Sequence, residues 1–160
     1  PSALAAEAMG LILHHLPRAA DGDRDGKANL LYASSLAGIV IAHTGTTMLH
    51  ALGYYLTLRH GIPHGQANAA LIPLLLEHLD AVIPQRVRTV LDMLPDRPRD
   101  RGGFTEYLHR MGIETTLSAC GVDGGELDAY ADYVLAKRNT AATVGTVDKR
   151  TLVALLRKYA

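Results

Sequence analysis

Leu36–Leu76 reads LAGIVIAHTGTTMLHALGYYLTLRHGIPHGQANAALIPLLL, and the fold is decided there. The stretch carries one formal charge, Arg59, and four of the eight histidines of the chain, His43, His50, His60 and His64. Burying a polar group without a partner costs roughly 1–3 kcal/mol, so an apolar run keeps a histidine only where its ring nitrogens are used. Leu36–Tyr55 is about long enough to span a bilayer. Its histidines, glycines and hydroxyl side chains favour a buried core helix instead.

Outward from this stretch the periodicity is helical throughout. Leu4, Met9, Leu11, Ile12 and Leu16 mark an N-terminal helix that Pro17 should limit, with His14 and His15 at its C-terminal end. Ala19–Lys27 reads as a polar loop. Its run Asp21-Gly22-Asp23-Arg24-Asp25-Gly26 starts like a calcium loop, but Tyr32 stands where a bidentate glutamate is needed. A helix from Ala28 to about His43 has apolar residues around most of its circumference, which predicts a central, buried element.

Thr46–Arg59 predicts a further helix, and Gly61-Ile62-Pro63-His64-Gly65 a turn. Gln66–Leu79 predicts one helix kinked at Pro73, and Pro84–Leu94 another. Asp96–Gly103 reads as a solvated loop and Phe104–Met111 as a helix. Gly124–Lys137, with Leu127, Tyr130, Ala131, Val134 and Leu135 inward, and a final helix begun by Asp148 complete the chain. His78 and His109 read as surface residues and Cys120 as a small buried one. No strand pattern, repeat or glycine-rich phosphate loop is present, so the fold class is all-α, a bundle-like domain of about seven helices occupying residues 1–160.

Composition narrows the function. Sixteen basic residues balance sixteen acidic ones, which argues against nucleic acid and against a polybasic membrane anchor. One cysteine excludes an internal disulfide and fits the cytoplasm. The chain opens Pro-Ser-Ala-Leu inside an amphipathic pattern, as though cut from something longer.

His50 on one helix and His64 at the head of the next can be brought together by the Gly61–Pro63 turn. Neutral imidazole suits zinc and ferrous iron. Two ligands are too few for a stable site, which needs three or four.

The order of residues around this pair resembles the iron-containing, group III alcohol dehydrogenases. His50-Ala51-Leu52-Gly53-Tyr54-Tyr55-Leu56-Thr57 and Pro63-His64-Gly65-Gln66-Ala67-Asn68-Ala69-Ala70-Leu71-Ile72-Pro73 are similar to the histidine motif of that family. Ala33-Ser34-Ser35-Leu36-Ala37-Gly38, Gly112-Ile113 with Leu117 and Gly121-Val122, and Asn139-Thr140 extend the likeness over nearly the whole chain. The resemblance implies an all-helical C-terminal domain like that of dehydroquinate synthase. It implies two metal ligands here, His50 and His64, for Fe2+ or Zn2+. The other two, an Asp and a His, and the N-terminal domain that binds NAD or NADP would lie upstream of Pro1.

Small alcohols or aldehydes would be the substrates, the metal acting as a Lewis acid while hydride moves to the nicotinamide. A homodimer follows from the resemblance alone. Tyr54 stands where many members carry a second histidine. It would share a helix side with His50 and donate a hydrogen bond to a substrate oxygen; a packed aromatic is the alternative. His60 would line the cofactor cleft. His43, seven residues before His50, could approach along the same helix face. The chain alone should not transfer hydride. The other reading is a non-catalytic helical module, degenerate or truncated, with a structural or assembly role.

Overall fold

Thr47 leaves the extended backbone and Met48–His60 coils into a helix whose side chains are almost all uncharged. The helix ends at Gly61, which takes a left-handed conformation at φ 70° and donates its N–H to Leu56 O. A non-glycine residue would be strained there. Pro63 then starts the next helix at His64. These two helices and the turn between them carry the site.

The structure is a computed structural model and describes residues 2–160. Ten α-helices are present among them, in chain order α1 (Ser2–Ala20), α2 (Arg24–Thr44), α3 (Met48–His60), α4 (His64–Ala70), α5 (Ile72–Asp80), α6 (Pro84–Leu91), α7 (Arg101–Arg110), α8 (Leu127–Leu135), α9 (Arg138–Ala141) and α10 (Lys149–Lys158). A 3-10 turn, Gly124–Glu126, precedes α8. The described residues contain no strand, as the all-α reading expects.

The chain divides into two units. The first comprises residues 1–45 and 85–104, the second residues 46–84 and 105–160. In the first, α1 and α2 fold back on each other. Asp23 caps α2 through Gly26 N at 2.8 Å and pairs with Arg18 at 2.8 Å, so α2 begins four residues before the expected start and the polar loop shrinks to a turn. Helix α1 runs through Pro17 to Ala20, because a proline removes one amide bond without forcing the chain out of helical angles. His14 and His15 therefore lie inside α1, their rings edge-to-face at 5.0 Å, rather than at its end.

Helix α2 is not the buried central element its pattern suggests. Within it only Gly26, Ala33 and Leu36 are buried, and Leu31 is 72% exposed. The apolar run Leu36–Tyr55 is likewise not one core helix. Gly45, at φ 69°, stops α2, and α3 starts at Met48. No single helix among the described residues is long and apolar enough to cross a membrane.

The second unit holds the larger core. Met48, Ala51, Leu52, Tyr55 and Leu56 of α3 meet Ala67, Ala70, Leu71 and Leu74 of the α4–α5 segment, Tyr130, Ala131 and Val134 of α8, and Leu152, Leu155 and Leu156 of α10. Leu58 points away from it and is 70% exposed. The expected helix Gln66–Leu79 is two helices, broken at Leu71. Pro73 has no N–H to continue the ladder and sits in the first turn of α5.

Two buried hydroxyls close this core. Tyr130 donates to Leu52 O at 2.8 Å, and Thr143 Oγ1 accepts the N–H of Met48 at 2.9 Å, which the first turn of α3 leaves without a helical partner. His78 is buried, not on the surface, because its Nε2 lies 2.9 Å from Val144 O and that carbonyl gives it a partner inside.

Candidate metal centre

His50 lies in the first turn of α3 and His64 is the first residue of α4. Their ring centres are 5.4 Å apart, with the planes inclined by 62°. Tyr54, one turn beyond His50, stacks on His64 at 4.7 Å and meets the His50 ring edge-on at 6.4 Å. Tyr54 is 44% exposed and both histidines are half-buried, so the three rings lie at the edge of the core rather than inside it. The structure thus joins three of the residues that the sequence singles out.

Burial, and to a lesser degree the neighbouring His64, hold the pKa of His50 below the ordinary histidine value. The ring is thereby biased toward the neutral form, the one that ligates a metal. His64 Nε2 lies 3.0 Å from Asn68 Nδ2, one turn along α4. Its Nδ1 is buried without a hydrogen-bond partner, and so is Asn68 Oδ1. Gly53 makes room for that amide. A Cβ at position 53 would stand 2.0 Å from Asn68 Oδ1.

His60 and His43 have other partners. His60 Nε2 lies 3.3 Å from Glu126 Oε1, off the line of a hydrogen bond, and its ring is 5.9 Å from that of Tyr55. Glu126 accepts from Tyr55 Oη at 3.0 Å and from the N–H of Asp123 at 2.8 Å, completing a capping box before α8. Tyr55 in turn stacks on Tyr130 at 4.0 Å. His43 belongs to the first unit, where its Nδ1 donates to Ile39 O at 2.7 Å. Helix α2, which carries His43, ends at Gly45, and a separate helix starts at Met48.

Asn68 and Glu126 are the residues that sequence reasoning missed. Each had a signal. Asn68 stands four residues after His64, one helical turn on, and Asp123 with Glu126 has capping-box spacing.

The whole chain, residues 1–160, matches the model of the Fe-containing alcohol dehydrogenase family, C-terminal. The chain belongs to that family. A crystal structure of an iron-containing alcohol dehydrogenase from Thermotoga maritima is 34% identical over 99% of this chain and 42% of its own, with a TM-score of 0.85. A maleylacetate reductase of a Rhizobium species is 28% identical over 98% of this chain and 44% of its own. A sulfoacetaldehyde reductase of Bilophila wadsworthia is 30% identical over 85% of this chain and 39% of its own. The chain thus spans under half the length of these relatives, and it corresponds to the C-terminal domain of the iron-containing alcohol dehydrogenase fold.

The two rings fit the metal that the family name implies. Imidazoles sharing one ion at a metal–nitrogen distance of about 2.1 Å hold their centres no more than roughly 6 Å apart. His50 and His64, at 5.4 Å, meet that condition. The unpartnered, buried Nδ1 of His64 is a nitrogen with no protein group to serve. No cluster of three or more His, Cys, Asp or Glu is present among the described residues, so the pair makes at most half of a four-ligand site.

Proposed function

We propose that this chain is the metal-holding C-terminal part of an NAD(P)-dependent alcohol dehydrogenase, acting on small alcohols or aldehydes, with Fe2+ or Zn2+ as its ion. The observation that carries the proposal is the convergence of His50 and His64 across the Gly61–Pro63 turn. When bound, the ion supplies Lewis-acid polarisation of an alcohol or carbonyl oxygen. His50 and His64 hold it, both from helix starts fixed by the core below. Burial lowers the pKa of His50 and so favours the neutral, ligating form. Tyr54, stacked on His64 and exposed, presents its hydroxyl to the oxygen of a substrate as a hydrogen-bond donor. His60, resting on Glu126 and Tyr55, forms part of the wall on the side assigned to the dinucleotide. The single cysteine, buried as Cys120, suits a cytoplasmic setting.

The test is a protein in which this chain follows an N-terminal dinucleotide-binding domain. We expect about one metal ion per protein and NAD(P)-linked oxidation of short alcohols, with His50→Ala and His64→Ala each losing both. Retention of metal and activity in both variants overturns the proposal. A folded protein with no metal and no activity under any loading supports the alternative, a helical module with an assembly role.

A further inference from the structure

Helix α3 begins without a cap of its own. Thr47 stands at the N-cap position and makes no side-chain bond to the first turn. A threonine there ordinarily takes one of the free N–H groups of that turn. The N–H of His50 turns back to Thr47 O at 3.1 Å, which closes the turn but leaves the N–H of Met48 to be served from elsewhere. Thr143 Oγ1 serves it at 2.9 Å, from 95 positions away in sequence. Met48 is fully buried, so that hydroxyl stands where water does not reach. The segment that carries Thr143 is itself fixed. Thr140 Oγ1 donates to Val134 O near the end of α8. His78 of α5, buried and unused by the metal pair, has its Nε2 2.9 Å from Val144 O. A carbonyl only accepts, so that nitrogen carries the proton and donates. Gly145, at φ 91°, lies close against the same histidine: a Cβ there would stand 3.3 Å from His78 Nε2 and 2.8 Å from Val82 Cγ2. Asn139 adds a longer contact, 3.4 Å from its Nδ2 to Thr46 Oγ1. Residues 139–145 thus bracket the start of α3 from supports on α8 and α5.

We propose that Thr143 is a positioning residue for His50: its hydroxyl, held between the Thr140–Val134 and His78–Val144 bonds, sets where α3 starts and with it the direction of the His50 side chain. The reading rests on His50 as a metal ligand. His50 is the third residue of α3, inside the turn that Thr143 secures. His64 starts α4 and is placed by the Gly61–Pro63 turn at the other end of α3. The two imidazoles are therefore set from opposite ends of one helix, and the 5.4 Å between their centres depends on both. Helix ends fray first, because their N–H groups lack helical partners. Loss of the Thr143 hydroxyl loosens the first turn of α3 and moves His50, while Tyr54, one turn further in, keeps its place on His64.

Thr143→Val keeps the shape and removes the acceptor, and Thr143→Ser keeps the acceptor. Without metal, nuclear Overhauser spectra of the 160-residue chain read two ring contacts, His50 with His64 and Tyr54 with His64, whose centres are 5.4 and 4.7 Å apart. We expect the first to weaken in Thr143→Val, the second to stay, and Thr143→Ser to keep both. Zinc ion titrated into the same folded proteins should bind about tenfold more weakly to Thr143→Val than to the parent, the lower end of the loss when the support of a metal ligand is removed. In a His50→Ala background Thr143→Val should change zinc affinity no further, since it acts through His50. An unchanged His50–His64 contact in folded Thr143→Val overturns the proposal, and so does an equal loss of zinc affinity with and without His50. Should Thr143→Val not fold, the unsubstituted chain decides: a Met48 amide hydrogen that exchanges as fast as an open helix start overturns the proposal, and a protected one supports it. Failure of the parent reading is separate: zinc affinity unchanged in His50→Ala removes His50 as a ligand and leaves the metal-free ring contacts to judge Thr143.

Discussion

The ring centres of His50 and His64 lie 5.4 Å apart although fourteen positions separate the two residues in sequence. The left-handed Gly61 and the proline at 63 turn α3 into α4 so that both imidazoles reach one face. A pair of imidazoles is a weak site when alone. We expect zinc or ferrous ion to bind the 160-residue chain reversibly and to be stripped by a moderate chelator. His50→Ala and His64→Ala should each reduce that affinity by about tenfold or more, for loss of one of two ligands. Isothermal titration with and without competing chelator measures this.

Gly53 and Asn68 are packed too closely for a side chain between them. Gly53→Ala should therefore cost about 1–3 kcal/mol, the range for overpacking a filled site. Alanine is the better helix former, and an exposed glycine in α3 would gain from the change. Urea denaturation of the variant separates the two: loss of stability marks the close approach, gain denies it.

Thr143 ties the loop after α9 to the start of α3 through the N–H of Met48. Thr143→Val keeps the shape and removes the acceptor. Leaving that buried amide unpaired should cost about 1–3 kcal/mol. Thr46→Val, whose hydroxyl is 3.4 Å from the Asn139 amide and only half-buried, should cost less. Thermal unfolding of the two variants ranks them.

Alkali should unfold the second unit through its tyrosines. Burial pushes the Tyr107 hydroxyl up to about 12 and Tyr130 well above the ordinary tyrosine value. Burial first, then the hydrogen bond to Glu126, raises Tyr55. A raised acid pKa means the folded chain holds protons that the unfolded chain gives up. The stability these groups contribute is fully present below about pH 10 and is lost as pH rises through their folded values. We expect stability to fall steeply above pH 10, with tyrosinate absorbance appearing in two phases, exposed rings first and the buried set together with unfolding. One smooth phase for all seven tyrosines in a still-folded chain would contradict it.

The helical class and the paired histidines were legible because both rest on local pattern. Apolar spacing marks helices, and glycine and proline at 61 and 63 mark the turn that joins His50 to His64. Burial was less legible. Apolar residues around all of α2 read as a core helix, yet Leu31, Tyr32, Ile39 and Ile41 are exposed, since periodicity records what a face could cover and not what is there to cover it. His78 read as polar and superficial because its partner, the Val144 carbonyl, is 66 positions away. Asn68 was passed over for the opposite reason. A small amide among alanines carries no signal until Gly53 is seen against it.

The most direct measurement is of the ion itself. In a protein that joins this chain to a dinucleotide-binding domain, anomalous diffraction at the metal edge should place one ion between the rings of His50 and His64, within about 2.1 Å of a nitrogen on each. An ion bound elsewhere, with neither ring among its ligands, would contradict the account.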